Sequence, residues 1–277
     1  MSGSFAFAPL PSPPMSDPPL FNPGFEETPT PYVSASQSAR VFTEAWAALH
    51  LFCPHCGAER VSRYPNNRPV ADFYCGTCGE EFELKAKNGR IGPKVADGAF
   101  AAKCARLASD TNPNLVVLAY SKARFAMTDL FFVPKHFFVR EIIEERPPLA
   151  ATARRAGWVG SNILIGKVPE AGKIWMVRDG EALPRDHVRA QWQATLFLRE
   201  ERPAARGWLI DVMKCVERVG AREFALDDVY AFEGELSAIY PGNRNVRPKI
   251  RQQLQVLRDR GFLEFTGRGR YRVRFGG

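Results

Sequence analysis

Four of the six cysteines stand in two Cys-x-x-Cys pairs, Cys53/Cys56 and Cys75/Cys78, with 18 residues between the pairs. Such a pair puts two thiolates on one tight knuckle, and a loop of this length lets two knuckles face each other around one tetrahedral Zn2+. A redox dithiol has no need of a second copy at ribbon spacing. Four sulfurs fill the coordination sphere, so the expected zinc is structural, a pin for the chain on either side of it.

Threaded around the second pair are three residues of another kind. Asp72 comes just before it, in VADFY, and Glu83 and Lys85 come just after it, in EEFELKAK. Metal-assisted hydrolysis of a phosphodiester needs carboxylates to hold Mg2+ near the phosphate. It also needs a positive group to orient or deprotonate the water and to meet the developing charge. Two positions apart on a strand, Glu83 and Lys85 would project from one face about 7 Å apart, and Asp72 on a neighbouring strand would reach the same ion. Solvated strand faces carry Glu-x-Lys too, and spacing alone does not choose between the two. Glu44, in RVFTEAWAALHLF, is a further carboxylate that a helix could bring in; an exposed helix acid is the plainer alternative.

These residues need elements to hold them. The apolar pattern predicts a helix after 34–37, with Val41, Trp46 and Leu49 among its apolar positions, then strands over 70–74 and 80–87 joined by a GTCG turn. In the second strand Phe82, Leu84 and Ala86 share one face and Glu81, Glu83, Lys85 and Lys87 the other. A helix is predicted over 97–109, ended by Asn112-Pro113. Buried strands are predicted over 115–120 and 129–133, a short helix after Pro134, and strands over 158–165 and 173–177 before an Asp179-Gly180 turn. Strands mixed with helices on a core of about five strands make an α/β domain over 32–183. After Pro184 the pattern turns helical: a connecting helix over 186–199, helices over 207–219, 226–239 and 246–260, then a hairpin, FLEF-TGRGR-YRVRF. Three helices and a basic hairpin read as a winged helix-turn-helix over 184–277.

Residues 1–31 hold nine prolines and no hydrophobic period, the signature of a disordered leader, and Met15 inside it leaves the true start open. No run of 18 apolar residues exists, so no membrane span is expected, and no Lys or Arg precedes Arg40 to make a signal-peptide n-region. A large chain whose cysteines fall in metal pairs is no disulfide scaffold, and Cys104 and Cys215 read as small buried hydrophobes. A reducing, cytoplasmic setting follows, with no obligate protein partner evident. The charge is uneven. Residues 244–277 carry ten basic against two acidic residues, which is the whole of the net +8, so a polyanion site is expected there.

The Asp72…Glu83-x-Lys85 pattern resembles the PD-(D/E)xK nuclease motif, although Val70 and Ala71 stand between Pro69 and the acid. More specifically, NNRPVADFYC (66–75), EEFELK (80–85), TARRAGW (152–158) and IRQQLQVLRD (250–259) resemble the DpnI family of methyl-directed restriction endonucleases, over about 21–274. The resemblance implies a PD-(D/E)xK catalytic domain with an embedded zinc site, followed by a winged helix. It also implies Mg2+-dependent cleavage of duplex DNA at GATC sites carrying N6-methyladenine. Asp72 and Glu83 would then be magnesium ligands and Lys85 the catalytic lysine. The rival readings are a zinc-ribbon and winged-helix transcription factor, in which the acids are only a charged strand face, and a nuclease of this fold with another target site.

On the last helix Val246, Ile250, Leu254 and Leu257 form the buried stripe, which leaves Gln252 and Gln255 opposite it and Lys249 and Arg251 at the margins. Gln suits the major-groove edge of adenine; Arg and Lys suit guanine or phosphate. Arg268, Arg270 and Arg272 on the hairpin are expected on phosphates, as are Arg154 and Arg155. Burying one methyl group contributes about 0.8 kcal/mol, about fourfold in affinity. Reading the two methyls of a palindrome with two domains multiplies that selectivity. Trp158 is the candidate apolar wall for methyladenine in the first domain, a core tryptophan being the alternative.

Overall fold

A computed structural model describes residues 24–25, 35–65, 71–109 and 111–274. The Pro-rich leader, apart from 24–25, and residues 66–70 of the NNRPVADFYC segment lie outside the described residues. The first part of the chain comprises α1 (Ala35–His50), β1 (Ser62–Arg63), β2 (Phe73–Tyr74), β3 (Glu81–Asn88), β4 (Val95–Ala99), α2 (Phe100–Ala108), β5 (Asn114–Ser121), β6 (Ala126–Val133), β7 (Ile143–Glu145), β8 (Gly160–Ile163), β9 (Ile174–Arg178) and β10 (Glu181–Ala182). The second comprises α3 (Arg185–Thr195), α4 (Phe197–Glu200), α5 (Pro203–Val219), β11 (Glu223–Ala225), α6 (Leu226–Tyr230), α7 (Glu233–Ile239), α8 (Val246–Asp259), β12 (Leu263–Gly267) and β13 (Arg270–Val273).

The central sheet has seven strands in the order β1-β2-β3-β5-β6-β9-β10, two more than expected because the short edge strands β1 and β10 carry no apolar pattern. Among the described residues its one parallel pair is β3 with β5, and the crossover that such a pair requires is supplied by β4 and α2. The continuous apolar run of β5 has a simple cause: both faces of the strand are covered. Val116 and Leu118 face one buried cluster, with Trp46, Phe73, Phe82, Phe132 and Trp192. Leu115 and Val117 face the other, with Phe131, Val133 and Phe137. That second cluster runs on without a break into Trp208, Leu209 and Val212 of α5, Leu254 of α8 and Tyr271 of β13. On α1, Trp46 is buried, whereas Leu49 points to solvent.

Several boundaries differ from the sequence reading, each for a local reason. The predicted helix 97–109 starts only at Phe100, because Val95–Ala99 pairs antiparallel with β8 and bulges between Asp97 and Ala99. Its Ala-rich composition reads helical, but the pairing wins. In the described part of the predicted strand over 70–74, Phe73–Tyr74 pairs in register with β3. The strand expected from Trp158 starts at Gly160. The connecting helix is two pieces, α3 and α4. The helix expected over 226–239 is also two, α6 and α7, because the chain turns at Ala231-Phe232 and so buries both Val229 and Leu236.

The second part is a helix-turn-helix with a wing. The β12–β13 hairpin carries β11 along its other edge, in the order β11-β13-β12, and β11 was not foreseen. Among the described residues no helix is long and apolar enough to cross a membrane.

Candidate active site and DNA-binding face

The two knuckles are built alike. The Cys53 N–H donates to Ala58 O and Gly57 N–H returns to Cys53 O; the Cys75 N–H donates to Glu80 O and Gly79 N–H returns to Cys75 O. Gly57 and Gly79 have φ of 83° and 75°, the left-handed turn that closes each knuckle. The four Sγ atoms lie within 4.8 Å of one another, with Cys53–Cys78 at 3.6 Å and Cys56–Cys75 at 3.5 Å. A tetrahedron of thiolates about 2.3 Å from zinc has edges of about 3.8 Å, so the sulfurs already stand nearly where one metal ion would hold them. The second knuckle leads through Glu80 straight into β3.

Glu83 and Lys85 project from the same face of β3, with Lys85 Nζ 2.7 Å from Glu83 Oε1. Asp72 stands beside them. Its N–H donates to Phe82 O, and its Oδ2 accepts the N–H of Leu84 at 2.7 Å. Burial pushes the Asp72 carboxyl up, the Leu84 N–H opposes this, and the charges of Glu44 and Glu83 push it up further. The three residues singled out by the sequence are therefore brought together.

Glu44 is drawn into the same neighbourhood. It is no exposed helix acid: it is buried and ion-paired with Arg40 and Arg63, so its charge is answered before any metal is considered. Two residues that the sequence reading missed complete the cluster. Asp97 of β4, in the stretch misread as helix, lies 2.7 Å from Lys85 Nζ. Lys103 of α2 lies 3.0 Å from Glu83 Oε2 and 3.1 Å from Asp97 Oδ2. No spacing rule connects 83, 97 and 103; only the crossover between the parallel strands does. Burial alone would lower the pKa of Lys85, but the charges of Glu83 and Asp97 outweigh it and hold the ammonium well above its ordinary range. Among the described residues no third Asp or Glu gathers with Asp72 and Glu83 into a three-donor cluster.

Two family models cover this chain. A model named DpnI, the Dam-replacing family, matches residues 25–201, and a Dam-replacing HTH domain model matches residues 204–273. The chain belongs to the Dam-replacing family. The first match spans the α/β sheet with both knuckles and the Asp72–Glu83–Lys85 cluster. The second spans the helix-turn-helix and wing that give the Dam-replacing HTH domain its name.

In that HTH domain α8 buries Val246, Ile250, Leu254 and Leu257, together with Gln253, and exposes Arg251, Gln252 and Gln255. Lys249 Nζ donates to Gln252 Oε1 at 2.8 Å. Tyr230, at the end of α6, lines a cleft of about 460 Å³ with Arg247, Arg251, Gln252 and Gln255; the sequence reading had no signal for it. The wing divides its arginines. Arg268 and Arg270 are exposed, whereas the Arg272 guanidinium is taken up by Glu223 of β11 at 2.7 Å and faces Glu264 of β12 at 3.6 Å. In the free protein Arg272 therefore bridges β11, β12 and β13, whereas among the described residues Arg268 and Arg270 form no such strand-bridging pairs.

Trp158 is half-buried, so it is not a core tryptophan. It ends an exposed loop in which Gly157 N–H donates to Leu149 O and Leu149 N–H to Trp158 O. Its six-membered ring lies so close to Gly160 that a Cβ there would come within 2.7 Å. The Arg155 guanidinium lies 4.6 Å from the ring centre, and Arg154 is exposed.

Proposed function

We propose that the protein is a methyl-directed restriction endonuclease that hydrolyses duplex DNA with Mg2+ at GATC sites containing N6-methyladenine. The observation that carries this reading is the placement of Asp72 against β3, held by the Leu84 N–H between Glu83 and Lys85, in a chain of this family. On this reading residues 32–183 are a PD-(D/E)xK catalytic domain and residues 184–277 the linker and winged helix, and the enzyme works in the cytoplasm.

Asp72 and Glu83 offer the hard carboxylate oxygens that Mg2+ prefers, and they would hold it. The ion supplies Lewis-acid polarisation of the phosphate and an acidified water. Lys85 stays protonated between Glu83 and Asp97, so it is suited to meet the charge that develops on the phosphate rather than to remove a proton from water. The four cysteines fit Zn2+, which would fix the start of β3 and the segment carrying Asp72.

On the DNA side, Gln252 and Gln255 would read adenine edges from α8, with Lys249 and Arg251 on guanine or phosphate. Arg268, Arg270 and Arg154 would fix the register on the backbone. Trp158 would face methyladenine in the first domain once Arg155 leaves the ring for a phosphate.

The test is digestion of one plasmid grown with and without adenine methylation, in Mg2+. Cutting of the methylated form alone is the expected result. Cutting of the unmethylated form overturns the methyl-directed reading, and tight salt-sensitive binding without cutting of either form favours a DNA-binding protein without catalysis.

A further inference from the structure

Lys85, Glu83, Lys103 and Asp97 form a closed ring of alternating charge, with contacts of 2.7, 3.0, 3.1 and 2.7 Å. Two acids and two ammonium groups leave the ring neutral, and both oxygens of Glu83 are already spoken for. Lys85 has a role in the proposed reaction. Lys103 has none so far, although it is only 5% exposed and its ammonium lies 5.2 Å from the ring centre of Phe138. Burying an ammonium is costly unless acids compensate it, and here the compensating acids are a proposed metal ligand and a neighbour that is none.

We propose that Lys103 is a placeholder cation, which occupies Oε2 of Glu83 and yields that oxygen to a divalent ion while keeping its hold on Asp97. The inference rests on the reading of Asp72 and Glu83 as the metal-holding pair. Because Asp97 holds Lys103 as well as Lys85, the lysine is retained at the site when it gives up Glu83. The arrangement keeps the carboxylates from repelling one another before metal arrives, and it makes the divalent ion compete for its place. Asp97 and Lys103 are positioning residues, since they act through Glu83.

The test is calorimetric titration of the zinc-loaded full chain with Mn2+ alone, without DNA. Lys103→Met keeps the apolar stem and removes the charge, and it is expected to tighten Mn2+ binding about tenfold. Asp97→Asn leaves both lysines to bear on Glu83 and is expected to weaken binding by a similar factor. Lys94→Met makes the same charge change at an exposed lysine paired with Glu144 at 3.0 Å, and its affinity should stay within about twofold. A variant that is merely damaged would lose affinity, so a gain identifies the placeholder. If Lys103→Met does not fold, Lys103→Arg is expected to keep affinity within about threefold of the parent while Asp97→Asn still weakens it. Unchanged or weaker binding in Lys103→Met, or tightening in Asp97→Asn, overturns the inference. Asp72→Asn tells the two failures apart: if it leaves Mn2+ binding intact, the metal-holding pair itself has been misread.

Discussion

The backbone N–H of Leu84 donates to Oδ2 of Asp72 at 2.7 Å. The ladder between β2 and β3 ends at Phe82, so a carboxylate takes the place that the next carbonyl would have had. One acid thereby terminates a strand pairing and is placed beside Glu83 and Lys85 by the same bond.

That bond separates two substitutions. Asp72→Asn keeps an oxygen for Leu84 and loses the charge, so the fold should hold while plasmid cleavage falls by about 10³-fold or more, the equivalent of about 4 kcal/mol. DNA binding, followed by fluorescence anisotropy, should change by less than about threefold. Asp72→Ala also removes the acceptor and should cost a further 1–2 kcal/mol or so of stability in urea.

The knuckles make a prediction about metal content. Atomic spectroscopy should find one zinc per chain, and Cys75→Ser or Cys78→Ser should lose it. Since structural zinc contributes folding free energy directly, these variants should melt about 10 °C lower. Cleavage should fall with them, although the sulfurs take no part in the proposed chemistry.

Arg270 and Arg272 should part company in their salt dependence. Arg270→Ala should lower the slope of log K against log salt by about 0.9, the value of one lost phosphate contact. Arg272→Ala should leave the slope nearly unchanged and instead destabilise the wing, since its partners are Glu223 and Glu264. Equal slope changes in the two would contradict the assignment.

Trp158→Ala should narrow the preference for methylated over unmethylated plasmid by about fourfold per methyl, and Trp158→Phe should restore most of it. Arg155→Ala uncovers the ring in the free protein and should keep the methyl preference. An unchanged preference in Trp158→Ala removes the residue from methyl reading.

Glu80 supplies a pH dependence. Burial would raise its carboxyl, but hydrogen bonds from Arg199 and Asn114 outweigh it and hold the group below the ordinary carboxylate range. A depressed folded-state pKa contributes stability that is complete above the unfolded value of about 4.3 and is lost as pH falls below it. Glu80→Gln weakens the charge-assisted bonds to Arg199 and Asn114 and should cost about 2 kcal/mol at pH 7, and the difference from the parent should shrink as urea unfolding is repeated below about pH 4.

How much of this was legible in the sequence varied with the kind of signal. The knuckles were, because cysteine spacing is a local constraint with few other causes. So were β3 and α8, whose alternation and helical period each record one buried side, and β5, whose unbroken apolar run records two. Asp72, Glu83 and Lys85 were legible only through resemblance, since a Glu-x-Lys pair looks the same on any wet strand. Asp97 and Lys103 were hidden because their partners lie across a crossover. The helical look of DGAFAAK hid the strand as well, since composition there favours one local structure and pairing with β8 imposes another. The pairing of Arg272 with Glu223 was hidden in the same way: β11, which supplies Glu223, is too short to show a pattern.

The apolar cluster that runs from Leu115 and Phe131 through Trp208 to Leu254 bears on how such a protein can change. A helix-turn-helix joined by a bare tether could be exchanged for another, like an interchangeable tool head. Here the buried face of α5 packs on α6 and α8 and is continuous, through one apolar cluster, with side chains of the sheet. A transplanted domain would have to bring an apolar surface that continues this cluster, or leave apolar side chains of the first domain exposed to water. If α8 reads the target as proposed, new sites would be reached more readily by substitution on its outer face than by recombination of whole domains.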